Sequence, residues 1–441
     1  MTTDRAGPTG ERAAAPAAAF VDARDPRWRT VVCGVSLLER LLRALHAAGV
    51  PEARLFGAEG TLLSELERGA WVRRRLRLRA DAASPARETL LRHWPGEGVV
   101  LWFPAPGLYD PRIILALCRS PVPCALTDRA GSDSTDRGSD PATRGTLGPL
   151  RMDRPLLEAA DTPLSRLAAW GLASGRLAPL DVADLDRYLA DQRRHLRPYW
   201  FPALAPGETA AAEETLLDAA QKGALDLPAR VHAPVERWLV RRLCRWPVTP
   251  NQLTLLSNLA AYGATFALAA GSHAAGLGIA LAVGVLDGLD GKQARVKQEE
   301  TPLGHWEHEF DYLYETSWWA ALAWSLAPVL PGAWSLFGLL FASELVAKAC
   351  RGLVRRHTGR TMDDCSPLDR GLRLVTGRRN VYVWIIAGTS LVASTAAGFR
   401  AACLWAGATA AIHLWRALVL LTQPRPVEDI APANFPRGGD V

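Results

Sequence analysis

The chain has 441 residues, which is enough for two or three domains of ordinary size. Apolar residues make up 49% of it and charged residues 22%, but the long apolar stretches lie between Asn251 and Thr422, whereas the first 220 residues are rich in Arg, Ala and Asp. This distribution excludes a wholly soluble enzyme and predicts a soluble part joined to a membrane part. The formal net charge of +6 comes from arginine, since only four of the 51 basic residues are lysine, and we expect no nucleic-acid partner.

The beginning of the chain predicts a disordered lead over residues 1–27. It contains no hydrophobic run before Val31, so we expect no cleavable signal peptide. The seven cysteines are scattered and include no CxxC pair. This pattern predicts neither a disulfide framework nor a zinc site, and it is typical of a reducing, cytoplasmic environment.

Residues 28–222 are predicted to form an α/β domain. A helix is expected after Ser36, because this residue forms a capping box with the glutamate three positions later, and a strand is expected over residues 98–103. Such alternation is typical of α/β folds. Residues 128–148 predict a polar loop, and the arginine-rich run 73–79 predicts the solvated face of an amphipathic strand, with contact to anionic lipid headgroups as the alternative.

Residues 223–248 predict an amphipathic helix that lies on the cytoplasmic surface of the membrane. Tryptophans and arginines alternate there with apolar residues, as is typical of a helix at the interface. A new helix is predicted to begin at Thr249, which serves as its N-cap. Pro250 occupies the first helical position and Gln252 closes a capping box.

Six apolar segments follow, and we expect them to form a six-helix transmembrane bundle over residues 249–422. The segments are approximately 252–270, 274–290, 309–329, 333–349, 380–396 and 401–421. The loop between the fourth and fifth segments contains eight arginines, whereas the three loops on the opposite side contain one in total. The positive-inside rule therefore places both termini, including a tail at residues 423–441, in the cytoplasm.

Acidic and small residues form two stripes where the second apolar segment ends and the third begins. One stripe consists of Asp287, Asp290, Gly291, Ala294 and Arg295, and the other of Gly304, Glu307, Asp311 and Glu315. Facing carboxylates repel one another unless a cation lies between them, and hard oxygen ligands of this kind suit Mg²⁺, Mn²⁺ or Ca²⁺. The alternative is a loop of solvated acids, but it does not explain why the acids lie within apolar stretches, where ionisable residues are costly and usually functional.

This pattern resembles the signature of the CDP-alcohol phosphotransferase family, also called the CDP-alcohol phosphatidyltransferase family. The signature reads D-x2-D-G-x2-A-R, then about eight residues, then G-x3-D-x3-D. The chain matches it in identity and spacing at Asp287, Asp290, Gly291, Ala294, Arg295 and Gly304. The last two acids stand one residue earlier than the signature requires, at Glu307 and Asp311. With the Thr-Pro-Asn sequence at 249–251 and six spans, the resemblance extends over about residues 226–421.

The resemblance implies a membrane transferase that moves a phospho-alcohol group from a CDP-alcohol to a hydroxyl acceptor and releases CMP, in phospholipid or inositol-phosphate metabolism. Asp287, Asp290, Glu307 and Asp311 would hold Mg²⁺ or Mn²⁺, and Asp311 would also be the catalytic base. The donor nucleotide and its phosphates would contact Gly291, Ala294, Arg295, Gly304, Thr249 and Asn251. The implied partners are CDP-diacylglycerol or a CDP-polyol, the hydroxyl acceptor, the lipid bilayer and a second copy of the chain.

The N-terminal part resembles the Rossmann-like sugar-nucleotidyltransferase fold through its helix at residues 36–50. The N-terminal part and the membrane domain together resemble the family of bifunctional inositol-phosphate cytidylyltransferase/di-myo-inositol-phosphate-phosphate synthases. Residues 13–20 are six alanines, a proline and a phenylalanine where that fold has a glycine-rich loop. No lysine precedes Lys222, and Pro-Ala-Pro at 104–106 replaces an expected metal-binding Asp. We therefore expect an inactive nucleotidyltransferase-like domain. The alternatives are an active cytidylyltransferase and, for the whole chain, a non-enzymatic cation-binding scaffold.

Four arginines are candidates for binding a phosphate on the acceptor. Arg378 and Arg379 precede the fifth apolar segment, and Arg351 and Arg355 stand one turn apart at the end of the fourth. Most arginines in this loop are interpreted as charges that set the topology. Guanidinium groups at a helix start can nevertheless converge on an anion. A phosphorylated acceptor such as inositol phosphate or glycerol phosphate would need such a pocket, whereas a neutral alcohol would not.

Overall fold

The computed structural model describes residues 15–58, 60–68, 76–128, 146–189, 191–202, 204–299 and 307–423. These residues form two compact units. The first unit lies within Met1–Arg187 and Leu196–Thr215, and the second lies within Tyr188–His195 and Leu216–Ala433.

The first unit is built on a seven-stranded mixed sheet. The strands that the structure describes are β1 (Ala18–Asp22), β2 (Val31–Val32), β3 (Val35–Ser36), β4 (Glu52–Phe56), β5 (Arg77–Asp81), β6 (Val100–Phe103), β7 (Gly107–Tyr109), β8 (Cys124–Asp128), β9 (Thr146–Met152), β10 (Ala178–Asp181), β11 (Tyr188–Leu189), β12 (Arg194–His195) and β13 (Trp200–Pro202). The order in the sheet is β10-β8-β9-β6-β1-β4-β5, and every neighbouring pair is parallel except the two pairs that include β9. The prediction of an N-terminal α/β domain is confirmed.

Helices connect these strands, and a last helix follows β13 and extends across the boundary between the two units in sequence. They are α1 (Leu37–Ala47), α2 (Gly60–Arg68), α3 (Arg87–Arg92), α4 (Pro111–Arg119), α5 (Arg154–Ala159), α6 (Leu167–Ala173) and α7 (Thr209–Ala219). The predicted N-cap of α1 is confirmed, since the Ser36 hydroxyl accepts a hydrogen bond from the backbone N–H of Glu39 at 3.2 Å. The predicted strand over 98–103 is β6, and its Trp102 packs in one buried cluster with Phe20 and Trp94.

Strand β1 corrects the prediction of a disordered lead over residues 1–27. It occupies the interior of the sheet between β6 and β4, and Phe20 is fully buried. The alanine-rich sequence gives a weak strand signal, because a strand buried on both faces lacks the alternation that marks a half-exposed one. Residues 1–14 of the predicted lead and residues 129–145 of the predicted polar loop lie outside the described residues.

The arginine-rich run ends in a strand at the edge of the sheet. Arg77 and Arg79 of β5 are exposed, which agrees with the interpretation of this run as a solvated strand face. Both guanidinium groups lie near the Glu52 carboxylate of β4, at 4.0 and 3.1 Å. Residues 73–75 lie outside the described residues.

The second unit is helical. Its helices are α8 (Leu227–Leu243), α9 (Pro250–Ala269), α10 (His273–Lys297), α11 (Glu307–Leu326), α12 (Ala333–Thr358), α13 (Pro367–Arg373), α14 (Arg379–Val392) and α15 (Thr395–Thr422). Six of them coincide with the six apolar segments. Three of the six, α10, α12 and α15, are long and apolar enough to cross a membrane by length and composition. For α9, α11 and α14, a membrane crossing stays a prediction.

Helix α8 has two different faces. Leu227, Val231, Val235 and Trp238 are each more than half exposed along one face. On the opposite face, residues such as Glu236 are buried. This division agrees with the predicted amphipathic helix at a membrane surface, because an interfacial helix presents an apolar stripe to the lipid.

Aromatic side chains fill the core of the helical unit. Tyr314, Trp318 and Tyr382 are almost completely buried there, and the Trp318 indole donates a hydrogen bond to the backbone carbonyl of Ala261 at 2.7 Å. Helix α9 packs against both α10 and α11, and α12 packs along α15. All seven cysteines of the chain carry free thiols, of which six are buried and Cys365 is half-buried.

Candidate active site in the helical unit

The acidic motif lies in the last turns of α10, where α8 crosses it closely. A Cβ atom on Gly288 would lie 2.6 Å from the side-chain carboxyl carbon of Glu236, so a larger residue there would displace the Glu236 carboxyl group. Lys292, one turn further along α10, forms an ion pair with Glu236 at 2.6 Å, and both side chains are 7% exposed. Burial raises the pKa of Glu236, and the Lys292 ammonium opposes that shift. The helix that carries the motif is thus fixed to α8 by a buried ion pair.

Asp290 is buried against the beginning of α9. One of its carboxylate oxygens accepts a hydrogen bond from the Thr254 hydroxyl at 2.7 Å, and the other accepts one from the backbone N–H of Gly291 at 2.6 Å. The Asp290 residue is 3% exposed. Buried carboxylates need such partners, because an unpaired buried charge is costly. Thr254 therefore orients the second acid of the motif.

Three other carboxylates converge on the guanidinium group of Arg379, the first residue of α14. Asp287 accepts a hydrogen bond from it at 2.5 Å, while Asp311 and Glu315 of α11 lie 3.9 and 3.6 Å from it. Arg379 also donates to the Tyr314 hydroxyl. Its side chain is 9% exposed, whereas the three acids are each 21–25% exposed. The acids therefore surround the arginine and remain partly open to solvent.

Two of the predicted metal ligands, Asp287 and Asp311, belong to this acidic cluster. Glu315, which the stripe pattern placed on the same helix face as Asp311, joins them although it was not among the predicted ligands. Asp290 lies against α9 instead, with the hydrogen bonds given above. Glu307 is the first residue of α11, and its side chain lies outside the described residues.

The acidic cluster fits a divalent cation in charge and in donor type. If ionised, its three carboxylates carry two more negative charges than the single guanidinium offsets. Carboxylate oxygens are the ligands that Mg²⁺ and Mn²⁺ prefer. Within the described residues, no group of three or more His, Cys, Asp or Glu side chains is already arranged around one metal position.

The sequence surrounding this site matches a known family. Residues 247–422 match the model of the CDP-alcohol phosphatidyltransferase family. The C-terminal part of the chain thus contains a domain that matches this family, over less than half of the whole chain. Three helices of this phosphatidyltransferase domain are long and apolar enough to cross a membrane. The chain is therefore an integral membrane protein.

The chain is also similar to a curated protein of fused architecture. It is 30% identical over 196 residues to the "Bifunctional IPC transferase and DIPP synthase" of Aquifex aeolicus (strain VF5). The matched region covers 43% of this chain and 43% of that relative. The similarity thus spans less than half of the relative's length.

The residues predicted to bind the donor are spread along the phosphatidyltransferase domain. Arg295 donates from Nε to the backbone carbonyl of Ala220 at 2.8 Å, and its guanidinium lies beside Gly291, where a Cβ atom would be 3.3 Å from Nη1. Ala294 is half-buried on α10. Gly304 lies outside the described residues.

At the start of α9, Thr249 caps the helix as predicted. Its hydroxyl accepts from the backbone N–H of Gln252 at 3.3 Å, and the Gln252 side chain accepts from the backbone N–H of Thr249 at 3.0 Å. The side-chain oxygen of Asn251 is buried and has no hydrogen-bond partner among the described residues. Asn251 thus keeps an acceptor atom available for a ligand, whereas the Thr249 hydroxyl already has a structural partner.

A second charged cluster, which we call the basic cluster, surrounds Asp363 between α12 and α13. The Asp363 carboxylate accepts hydrogen bonds from Arg378 at 2.5 Å and from Arg193 at 3.0 Å, and Arg373 lies 3.7 Å away. Burial alone would raise the pKa of Asp363, but the charges of Arg378, Arg193 and Arg351 hold it below its ordinary value. One buried carboxylate therefore stands among four guanidinium groups.

Two of the four predicted acceptor arginines, Arg378 and Arg351, belong to the basic cluster. Arg379 belongs to the acidic cluster instead, although it is adjacent in sequence to Arg378. Arg355, one turn beyond Arg351 on α12, is exposed. Sequence reasoning missed Arg193 and Arg373: arginine is so frequent in this chain that composition does not single out any one of them, and Arg193 is far from the motif in sequence.

Proposed function

We propose that the chain is a transferase of substituted phosphate groups, which moves a phospho-alcohol group from a CDP-alcohol to a hydroxyl acceptor and releases CMP. The observation that carries this proposal is the convergence of Asp287, Asp311 and Glu315 on one guanidinium within a CDP-alcohol phosphatidyltransferase domain. A divalent cation, Mg²⁺ or Mn²⁺, would be held by these acids together with Asp290 and Glu307. When bound, it would offset the charge of the phosphoryl oxygens.

In the proposed reaction, Asp311 accepts the proton of the acceptor hydroxyl. A bond then forms between the acceptor oxygen and the β-phosphorus of the donor, while the bond from that phosphorus to the bridging oxygen breaks and CMP leaves. Asp311 is proposed for this role because it belongs to the acidic cluster and its side chain is 21% exposed, so an acceptor hydroxyl can reach it. Asn251, Gly291, Ala294, Arg295, Gly304 and Thr249 are proposed to line the donor side.

CMP release by the purified protein tests this proposal. CDP-diacylglycerol and a CDP-polyol are offered as donors, each with inositol phosphate, glycerol phosphate, inositol or serine as acceptor. We expect CMP to appear only when a suitable donor and acceptor are both present. A folded preparation that releases no CMP with any pair would support the alternative of a cation-binding scaffold.

We further propose that the acceptor carries a phosphate, which the basic cluster binds through Arg378 and Arg351. Nη1 of Arg351 and Nε of Arg378 are buried without a hydrogen-bond partner among the described residues. Paired, charge-assisted hydrogen bonds from guanidinium groups are a common means of binding phosphate. Arg378→Ala should then raise the KM for the phosphorylated acceptor by about ten-fold or more and leave the donor KM nearly unchanged. Equal effects on both substrates would count against this assignment.

A second candidate function is a bifunctional enzyme whose N-terminal unit makes the CDP-alcohol from CTP. The name of the Aquifex relative favours it. The first unit also has a cleft of about 270 Å³ lined by residues that follow β1 and β4, including Arg24 and Gly57. Arg24 is already paired with Asp22 at 2.7 Å, and the glycine-rich loop and the lysines of the nucleotidyltransferase fold are missing. We therefore propose that this unit is inactive.

The orientation in the membrane belongs to the same proposal. We propose that both termini and the active site face the cytoplasm and that the protein is a homodimer. The support for the orientation is the arginine-rich loop between α12 and α14.

A further inference from the structure

A short hairpin from the N-terminal half of the sequence belongs to the helical unit. Strands β11 and β12 pair antiparallel, with Tyr188 opposite His195 and Leu189 opposite Arg194. This segment precedes the matched family region by more than fifty residues, yet its contacts place it in the same compact unit as α8–α15.

The hairpin is fixed along one strand by the end of α7 and by the residues that follow it. Arg194 donates to the backbone carbonyl and to the carboxylate of Asp218, both at 2.7 Å. The backbone N–H of Gly223 donates to the carbonyl of Gln192 at 2.8 Å. A Cβ atom on Gly223 would lie 2.5 Å from the carbonyl oxygen of Arg193, so the turn of the hairpin packs directly on this glycine.

The other side of the hairpin reaches the basic cluster. The Tyr188 hydroxyl donates to Asp364, and Arg193 donates to Asp363 at 3.0 Å. Burial and the Asp364 carboxylate raise the pKa of Tyr188 to about 12, so it remains a donor at neutral pH. Arg193 has a left-handed backbone with φ of 51°, which is uncommon for a residue other than glycine and is found preferentially at functional sites.

The basic cluster has more positive charge than its own acids offset. Arg373 is shared with Asp226, whose carboxylate lies 3.5 Å away, and Glu344 acts on Arg351, so Arg193, Arg351 and Arg378 face the charges of Asp363 and Glu344. The excess is one positive charge, to which the anion of a phosphate monoester is attracted.

Unpartnered donors point to the same ligand. Within the described residues, Nη1 of Arg351, Nη1 of Arg373 and Nε of Arg378 are buried without a hydrogen-bond partner. The Arg373 side chain is only 8% exposed. Buried guanidinium N–H groups are normally satisfied, so donors without a protein partner on three members of one cluster are available to bind an anion.

We propose that the β11–β12 hairpin forms a wall of the acceptor site and that Arg193 binds the acceptor's phosphate together with Arg351, Arg373 and Arg378. This inference rests on the proposed function and deepens it. The segment before the phosphatidyltransferase domain thus supplies a residue that sets specificity for a phosphorylated acceptor over a neutral one.

Binding of inorganic phosphate tests the inference without activity. The full-length protein in detergent is titrated with phosphate, and the rise in Tm is recorded for the wild type, Arg193→Gln, Arg193→Gly and Arg197→Gln. Glycine suits the left-handed turn, so Arg193→Gly should keep the hairpin while removing the guanidinium. We expect both Arg193 variants to need about ten-fold more phosphate for the same rise, while Arg197→Gln, which removes a half-exposed arginine that pairs with Asp128 outside the hairpin, follows the wild type.

Kinetics with the same variants provide the second readout. Both Arg193 variants should raise the KM for glycerol phosphate or inositol phosphate about ten-fold and change the CDP-alcohol KM less than two-fold. Identical phosphate titrations for Arg193→Gly and the wild type, or equal effects on both substrates, would overturn the inference. So would a wild type that releases CMP but is not stabilised by phosphate.

Two further results distinguish an anion site at Arg193 from the transferase function and from a site for a lipid headgroup. A wild type that is stabilised by phosphate in an Arg193-dependent way but releases no CMP would refute the proposed function and leave the anion site standing. A phosphate monoester is also the headgroup of phosphatidic acid, so micelles containing this lipid are titrated beside glycerol phosphate. Stabilisation by the lipid alone would overturn the assignment to a soluble acceptor.

Discussion

Arg379 is the residue that holds the acidic cluster together. Its guanidinium contacts carboxylates from α10 and α11 and lies 5.3 Å from the centre of the Tyr314 ring. Carboxylates this close repel one another, and the arginine offsets part of that repulsion before any cation binds. A change at Arg379 should therefore disturb the acids as a group, whereas a change at Arg378 should act on the basic cluster.

The proposed catalytic base gives the first prediction. Asp311→Asn should lower the rate of CMP release at least a hundred-fold, because it removes both a proton acceptor and a charged ligand. The Tm and the elution volume in detergent should stay close to those of the wild type, since the Asp311 side chain is partly exposed and asparagine has nearly the same size. Glu158→Gln, at an exposed ion pair of the first unit, is the matched control and should leave the rate unchanged. Near-normal turnover of folded Asp311→Asn would reject the assignment.

The same cluster predicts a dependence on divalent cations. EDTA should abolish CMP release, and added Mg²⁺ or Mn²⁺ should restore it, because uncompensated carboxylates would otherwise repel the diphosphate of the donor. The measurement is the rate of CMP release before chelation, after it, and after each metal is returned. Full activity in excess chelator would remove the cation from the mechanism.

At the scale of the elements, the close crossing of α8 and α10 predicts different effects for the same substitution at two glycines of α10. Gly288→Ala places a methyl group against the Glu236 carboxyl and should lower the stability by about 1–3 kcal/mol, with a loss of CMP release as Asp287 shifts. Gly278→Ala meets no atom within 4 Å and should be neutral or stabilising by up to about 1 kcal/mol. Thermal unfolding in detergent compares the two. Equal effects of both substitutions would mean that the close approach at Gly288 has no consequence.

Some elements could be predicted from a few consecutive residues, whereas others depend on contacts with distant parts of the chain. The cap at Thr249 and the helix after Ser36 were predictable, because a capping box involves only four consecutive residues. Strand β1 was not, since its burial depends on neighbours supplied by distant parts of the chain. The contact of Arg193 with Asp363 joins residues 170 positions apart, and no local pattern indicates it. Motif spacing identified the acids, but the position of Arg379 among them required the packing of α14 against α10.

For the whole molecule, the two units are expected to differ in activity. The full-length protein should release no pyrophosphate from CTP with any sugar or polyol phosphate, because the phosphate-binding loop and lysines of a nucleotidyltransferase are missing from its first unit. The same preparation should release CMP from a CDP-alcohol, which serves as the internal control for folding. CTP-dependent release of pyrophosphate would establish the bifunctional alternative, since arginine can also bind phosphate.

The buried thiols leave the protein with a very low background for chemical labelling. Burial raises the pKa of Cys118 to about 12, so hardly any reactive thiolate is present there at neutral pH, and the thiol most open to a reagent is that of Cys365. In a Cys365→Ser background, a maleimide would therefore report almost entirely on one introduced cysteine. Placed at the exposed residues Ser272 and Arg360 in turn, such a probe would determine the side of the bilayer on which each loop lies, independently of any enzymatic assay.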